Sequence, residues 1–123
     1  MAPKSPEARI KARPASPGTC IIEIGGEFTA FAEDKLMTAY VDACRNGVSS
    51  IVLDFDGLNY MSSSGIGLLV TLLIRAQRQQ QRLLAYGLSE HYRHIFELTR
   101  LNEAITVHGD QAAALAAAGS VRA

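Results

Sequence analysis

The sequence predicts a single-domain α/β fold, with four helices and a mixed, mainly parallel β-sheet in the order ββαβαβαβα. Short, β-branched apolar segments alternate along the chain with longer segments whose apolar residues recur at helical spacing. The length of 123 residues suits one domain with a real hydrophobic core. A hydrophobic content of 48% is ordinary for a soluble globular protein.

The first predicted elements form a β-hairpin. Residues 1–7 are polar and proline-rich, so we expect a flexible tail there and a folded domain over residues 8–119. Residues 8–13 alternate weakly, residues 14–18 carry a strong turn signal, and residues 19–24 are β-branched and apolar. Because the first strand contains charge and is followed by proline, we expect it at a sheet edge.

A helix and a buried strand are predicted next. The pair Gly25 and Gly26 is expected to end the second strand. Residues 31–46 predict an amphipathic helix stopped by Asn46 and Gly47, and its apolar face carries Leu36, Tyr40, Val41 and Cys44. Residues 49–55 form a continuous apolar run, which is typical of a central parallel strand covered on both faces.

The second long helix is predicted to begin at Ser63 or Ser64 and to run to about residue 81. On a helical wheel its core face consists of Ile66, Leu69, Val70, Leu73 and Ala76. The opposite face consists of Gly67, Thr71, Arg75 and Arg78, with Leu68 at the border of this polar side.

The rest of the chain continues the alternation of strand and helix. Residues 82–87 predict a strand, and residues 90–100 predict a short helix capped by Ser89. Residues 104–108 predict the last strand, and the alanine-rich residues 110–118 predict a final helix ended by Gly119.

Charge and composition argue against several classes of function. Twelve basic and twelve acidic residues cancel and tryptophan is absent, so we expect neither nucleic acid nor an anionic membrane as a partner. Residues 1–17 lack the apolar stretch of a secretory signal, and the apolar run 65–74 is about half the length that crosses a bilayer. We therefore expect a cytoplasmic protein in which Cys20 and Cys44 are reduced thiols.

Residues 59–67, with the sequence Asn-Tyr-Met-Ser-Ser-Ser-Gly-Ile-Gly, join a predicted strand to a predicted helix. The first backbone N–H groups of a helix lack intrahelical acceptors and carry the positive end of the helix dipole. A serine there caps the helix, and a phosphate on that serine would lie in a favourable field. From the residues alone, this junction is either a cap or a phosphorylation switch.

The combined motifs resemble the STAS domain of bacterial anti-sigma factor antagonists. The resemblance covers residues 19–118 and rests on Gly26-Glu27-Phe28, the strand 51–55 and the junction 60–67. In the family pattern, acid-Ser-Ser/Thr-Gly-Leu-Gly, the serine after the acidic position accepts the phosphate. That correspondence makes Ser63 the phosphoacceptor, with Ser64 and Ser62 as alternatives.

Two departures from the family pattern remove negative charge near the acceptor. Ser62 stands at the acidic position of the junction, and Thr29 stands where many antagonists carry an aspartate. Both changes bear on recognition by a kinase rather than on the fold.

The resemblance also implies a partner-switching cycle. The unphosphorylated protein would bind an anti-sigma factor that is also a serine-protein kinase of the histidine-kinase-like ATPase fold, phosphorylation would end the complex, and a metal-dependent serine phosphatase would reset it. The expected partner-binding residues lie around the junction and on the adjoining helix face: Thr29, Ser62, Ser63, Ser64, Gly65, Gly67, Leu68, Thr71 and Arg75.

Two other functions remain open at this point. One is a STAS scaffold that is not phosphorylated and binds a protein or small ligand through the same loops. The other is a response-regulator receiver with Asp54 or Asp56 as acceptor, although the expected acidic pair and lysine are not evident. His91 and His94 have helical spacing but no evident third ligand, so we expect no metal site and no cofactor. No nucleophile-base set emerges, so we expect no enzyme.

Overall fold

Six strands form one mixed sheet, with four helices packed on it, in the computed structural model, which describes residues 7–119. The strands are β1 Arg9–Ser16, β2 Thr19–Phe28, β3 Ser50–Asp54, β4 Leu58–Met61, β5 Arg82–Tyr86 and β6 Ile105–His108. The helices are α1 Glu33–Ala43, α2 Ser63–Arg78, α3 Glu90–Leu98 and α4 Gln111–Gly119. The predicted α/β class, mainly parallel sheet and helix count are confirmed.

The order of strands across the sheet is β1-β2-β3-β5-β6, and β4 pairs with β2. Only the β1–β2 pair is antiparallel among the described residues, and β1 lies at the edge, as predicted. Of the tail predicted for residues 1–7, residues 1–6 lie outside the described residues, while Glu7 forms a β-bridge with Glu27. Residues 120–123 lie outside them as well.

The prediction that Gly25 and Gly26 end β2 is wrong. The strand continues to Phe28, with a register shift between Gly26 and Glu27, and its last residues pair with β4, which was not predicted. Gly26 has a positive φ of 77° and its N–H donates to the Gly57 carbonyl at 2.9 Å, so the two glycines bend the strand without ending it. The observed order is therefore ββαββαβαβα.

Helix α1 is shorter than predicted because 3₁₀ turns, Ala30–Ala32 and Cys44–Asn46, flank it. The chain leaves the second turn at Gly47 in the left-handed conformation, with φ 67°, which confirms the predicted stop. Leu36 and Tyr40 are buried as predicted, whereas Val41 is exposed. Ala39 and Ala43 face the sheet instead, since close packing on β1 and β2 admits small side chains there.

The predicted core face of α2 is rotated relative to the observed one. Leu69 and Ala76 are buried as predicted, and Ile66 and Leu73 are half-buried, but Val70 is exposed. Leu68 and Leu72 are buried in its place. The helix ends at Arg78 rather than residue 81, and Gln80 turns the chain with a φ of 58°.

Helices cover the two faces of the sheet unequally. The larger core lies under α1, α2 and α3, and the smaller one packs α4 alone against Ile21, Val52, Leu84 and Tyr86. Ser89 caps α3 as predicted, and the bounds of α3, β6 and α4 lie within two residues of the predicted ones. Both cysteines are free thiols, and burial raises the pKa of Cys20.

Candidate functional site

The serine junction lies where β2 and β4 end side by side. Phe28 pairs with Met61 at the carboxyl ends of these parallel strands, and Thr29 and Ser62 follow them directly. The Ser62 N–H donates to the Phe28 carbonyl at 3.1 Å, which continues the ladder by one bond into the junction. In α/β sheets this edge is where ligands and partners bind.

Ser62, not Ser63, is the N-cap of α2. Its backbone is extended, with φ −82° and ψ 170°, and its Oγ accepts the Gly65 N–H at 3.1 Å. Ser63 is the first helical residue, as predicted, but it is not needed for the cap. The cap and the residue predicted to accept phosphate are thus different residues at this junction.

The hydroxyls of Ser63 and Ser64 are exposed, and neither has a hydrogen-bond partner within residues 7–119. The first turn of α2 contains no acidic residue, and residues 57–89 contain neither aspartate nor glutamate. The positive end of the helix dipole is therefore not offset by a carboxylate of its own segment. A phosphate on either hydroxyl would gain from that field.

The two glycines of the junction have different roles. A Cβ on Gly65 would overlap the Phe28 carbonyl, so this glycine lets the helix start pack directly on the end of β2. A Cβ on Gly67 would meet nothing within 4 Å. Gly65 thus belongs to the buried side of the junction, and Gly67 leaves the exposed side flat.

A 3₁₀ turn next to the junction carries an aromatic side chain that the sequence did not identify as functional. The Thr29 Oγ1 accepts the Phe31 N–H at 3.3 Å, and the turn packs against α2. The Phe31 side chain is 96% exposed. Two features of the sequence could have indicated this exposure. Phe31 lies between a glycine-rich strand end and α1, and it is not on the helix face that carries Leu36 and Tyr40.

The outer face of α2 extends from the serines toward its C-terminal end. Val70 and Ile74 are 38% and 45% exposed, and they alternate with Gly67, Thr71, Arg75 and Arg78. Neither arginine has an ion pair within the described part of the chain. The expectation that Leu68 belongs to this face is wrong, because Leu68 is only 8% exposed and packs in the main core.

A groove of about 440 Å³ borders this face, between α1 and α2. It is lined by Tyr40, Thr71, Ile74, Arg75, Arg78 and Gln79, without a carboxylate. Burial raises the pKa of Tyr40 to about 12, and its hydroxyl donates to the Gln81 side chain at 2.8 Å. The fixed charge of the groove is therefore positive.

The other candidate residues lie in ordinary surroundings. Asp54 accepts the Asp56 N–H at 2.8 Å, and its other oxygen lies 4.0 Å from the Arg13 guanidinium. His94 lies 3.7 Å from a Glu97 oxygen. Within residues 7–119 no group of three or more His, Cys, Asp or Glu side chains is arranged to hold a metal ion. No helix in that range has the length and apolar composition to cross a membrane.

Comparisons with known proteins identify the family. Residues 11–114 match the STAS domain. The chain is 25% identical over 87 residues to a protein named anti-sigma-B factor antagonist from Staphylococcus aureus (strain NCTC 8325 / PS 47), covering 71% of this chain and 81% of that one.

Solved structures share the fold. The anti-sigma factor antagonist SpoIIAA in its unphosphorylated form aligns with a TM-score of 0.72 at 19% identity, covering 92% of this chain and all of that one. An anti-sigma factor antagonist from Mycobacterium paratuberculosis aligns with a TM-score of 0.79 at 14% identity, covering 95% of this chain and 98% of the other.

Proposed function

Because this chain belongs to the STAS domain family, we propose that it is an anti-sigma factor antagonist, switched off by phosphorylation of Ser63. One observation carries the switch: Ser62 alone caps α2, so Ser63 presents an exposed hydroxyl that the helix does not require. Ser64 is exposed beside it and is the alternative acceptor.

The binding surface in this proposal consists of exposed residues around that hydroxyl, together with the half-buried Thr29. Thr29, Ser63, Ser64, Gly67, Thr71 and Arg75 lie at the junction or on the outer face of α2, and Phe31, Val70 and Ile74 add apolar area. Of the other residues expected there, Ser62 and Gly65 support the surface from beneath and Leu68 belongs to the core. The two unpaired arginines favour a partner with carboxylates near the C-terminal part of α2.

Phosphorylation would change the charge of this surface while leaving the fold intact. A phosphate brings about −1.5 to −2 charges to a stretch, residues 57–89, that has no carboxylate. At the start of α2 the dipole stabilises that charge, so the domain tolerates it. An interface that buries the neutral hydroxyl does not, because a dianion without a partner is costly to desolvate.

The partner in this proposal is an anti-sigma factor that is also a serine-protein kinase of the histidine-kinase-like ATPase fold. The antagonist binds it in the unphosphorylated form, phosphate transfer ends the complex, and a serine phosphatase restores binding. The protein is the substrate of this chemistry, and we assign it no catalytic role of its own.

Incubation with that kinase and ATP, followed by phosphopeptide mapping, tests the proposal. We expect acid-stable phosphate on Ser63, lost in Ser63→Ala and retained in the matched variant Ser64→Ala. If phosphate persists in Ser63→Ala and disappears in Ser64→Ala, the acceptor is Ser64 rather than Ser63. A partner complex that forms normally without any phosphate transfer would instead favour the unphosphorylated scaffold.

A further inference from the structure

One hydrogen bond ties α3 to the strand that leads into the serine junction. The Met61 backbone N–H donates to the Tyr92 phenol oxygen at 2.8 Å. Met61 is the last residue of β4 and directly precedes the cap Ser62. A side chain of α3 therefore holds the chain one residue away from the cap of α2.

The pairing of β4 explains why this N–H needs a side-chain acceptor. Successive backbone N–H groups along a strand point to opposite edges. Since the Ser62 N–H points to β2 and bonds Phe28, the Met61 N–H points to the other edge, where no described strand lies. Met61 is buried, so without Tyr92 this donor would lack a partner within the described part of the chain.

Tyr92 is itself fixed in place. Its backbone N–H donates to the Ser89 Oγ at 3.3 Å in the cap of α3. Its ring packs edge-on against His91, with 4.8 Å between ring centroids, and contacts the main core. These contacts hold the phenol oxygen beside the Met61 N–H.

We propose that Tyr92 is a positioning residue for the serine junction, which holds the end of β4 so that Ser63 is presented correctly to the kinase. The kinase step of this inference rests on the proposed function, whereas the hydrogen bond between Met61 and Tyr92 does not depend on any partner. Loss of the phenol oxygen would free the Met61 N–H, loosen the chain before Ser62 and widen the range of positions of the Ser63 hydroxyl.

The test compares Tyr92→Phe with two matched controls. Tyr86→Phe removes a buried hydroxyl that donates to the Gln111 side chain at 2.9 Å on the far face of the sheet. Tyr60→Phe removes an exposed hydroxyl from β4 itself. Tyr86→Phe controls for the general loss of stability when a hydrogen-bonded hydroxyl is removed. Tyr60→Phe controls for the removal of a hydroxyl close to the junction.

Amide hydrogen exchange is the first measurement and needs no kinase. In Tyr92→Phe we expect the Met61 amide to exchange about tenfold faster than in the wild type, because it has lost its acceptor. The Ser62 amide should also exchange faster, because the loosened strand end holds it less firmly against the Phe28 carbonyl. Both controls should leave these two amides unchanged relative to the most protected amides of the sheet. Unchanged exchange at Met61 and Ser62 in Tyr92→Phe would overturn the proposal.

Phosphate transfer by the kinase is the second measurement. We expect kcat/KM for Tyr92→Phe to fall about tenfold, with both controls near the wild-type value. An equal fall in Tyr86→Phe would reduce Tyr92 to a purely structural role and overturn the inference. A wild-type chain that accepts no phosphate, while Tyr92→Phe still shows the exchange difference, would contradict the proposed function and leave the positioning role supported.

Discussion

Helices α2 and α3 begin in the same way. Ser62 and Ser89 both have extended backbones, and each side chain accepts the N–H of the residue three positions on, Gly65 at 3.1 Å and Tyr92 at 3.3 Å. Each serine satisfies one of the N–H groups that a helix start leaves without an acceptor. A serine cap therefore occurs at two of the four helix starts and does not by itself mark a regulatory site.

The two helices differ in the residue that follows the cap. In α3 it is Glu90, whose charge suits the positive end of the helix dipole, and in α2 it is Ser63, which is neutral and exposed. Phosphorylation would give α2 the negative charge that α3 already carries. A negative charge at the first helical position is thus compatible with a serine-capped helix start, so its effect in α2 should fall on association.

The largest expected effect is on partner binding in Ser63→Glu. We expect the affinity for the anti-sigma factor to fall at least about 100-fold, or about 3 kcal/mol, because a charge enters an interface that fits a hydroxyl. Titration calorimetry with the purified partner measures this. Ala112→Glu, which adds a charge to the exposed first turn of α4 on the other face of the sheet, is the matched control and should bind as the wild type does. A comparable loss there would mean that the effect is not specific to the start of α2.

Helices α2 and α3 also differ at the third helical position. It is Gly65 in α2 and Tyr92 in α3, because the start of α2 rests on Phe28 while that of α3 has room for a large side chain. We expect Gly65→Ala to lower the free energy of unfolding by about 2–3 kcal/mol through overlap with the Phe28 backbone. Urea denaturation checks this.

Gly67→Ala is the control for that substitution. It places the same methyl group in open space on an exposed helix face, so it should raise the free energy of unfolding by up to about 1 kcal/mol. Equal stability of the two alanine variants would mean that the start of α2 does not pack on β2 as described.

Sequence reasoning predicted both helix starts but not the strand between β3 and α2. The alternation of apolar strands and amphipathic helices was enough for the α/β class, and the serine-glycine run located the junction. Strand β4 was not predicted because only two of its four residues are buried or half-buried, without alternation, and because Gly25 and Gly26 resembled a strand end. Its pairing with β2 is a tertiary contact that local pattern does not encode.

The sequence predicted the strand-to-helix junction but not the arrangement of the side chains around it. The helical wheel placed Val70 on the core face and Leu68 at the border of the polar side, whereas Val70 is exposed and Leu68 is buried. Several neighbouring apolar residues allow more than one orientation of α2, so the pattern alone does not fix the buried face. Which of the three serines caps the helix depends on backbone angles, so the separation of Ser62 from Ser63 required coordinates. Phe31 was assigned to a helix, and only the 3₁₀ turn shows its side chain in solvent.

The two caps themselves should be of similar strength. We expect Ser62→Ala and Ser89→Ala each to lower the free energy of unfolding by about 1 kcal/mol, because each leaves one N–H without its side-chain acceptor. Thermal and urea unfolding measure both. Ser62→Ala should reduce phosphate transfer more than Ser89→Ala does, since Ser62 holds the turn next to Ser63 directly, whereas Ser89 acts only through Tyr92. Equal transfer by the two variants would show that the cap of α2 does not affect the switch.

The stability of the Ser63→Glu protein decides how its loss of partner binding is interpreted. Ser63→Glu should change the free energy of unfolding by no more than about 0.5 kcal/mol, toward greater stability at low salt, because the added charge meets the dipole of α2. Glu90→Gln should give the opposite change of similar size in α3, and urea denaturation at two salt concentrations measures both. A Ser63→Glu protein destabilised well beyond this range would explain lost binding by unfolding. Retained stability leaves charge at the interface as the cause.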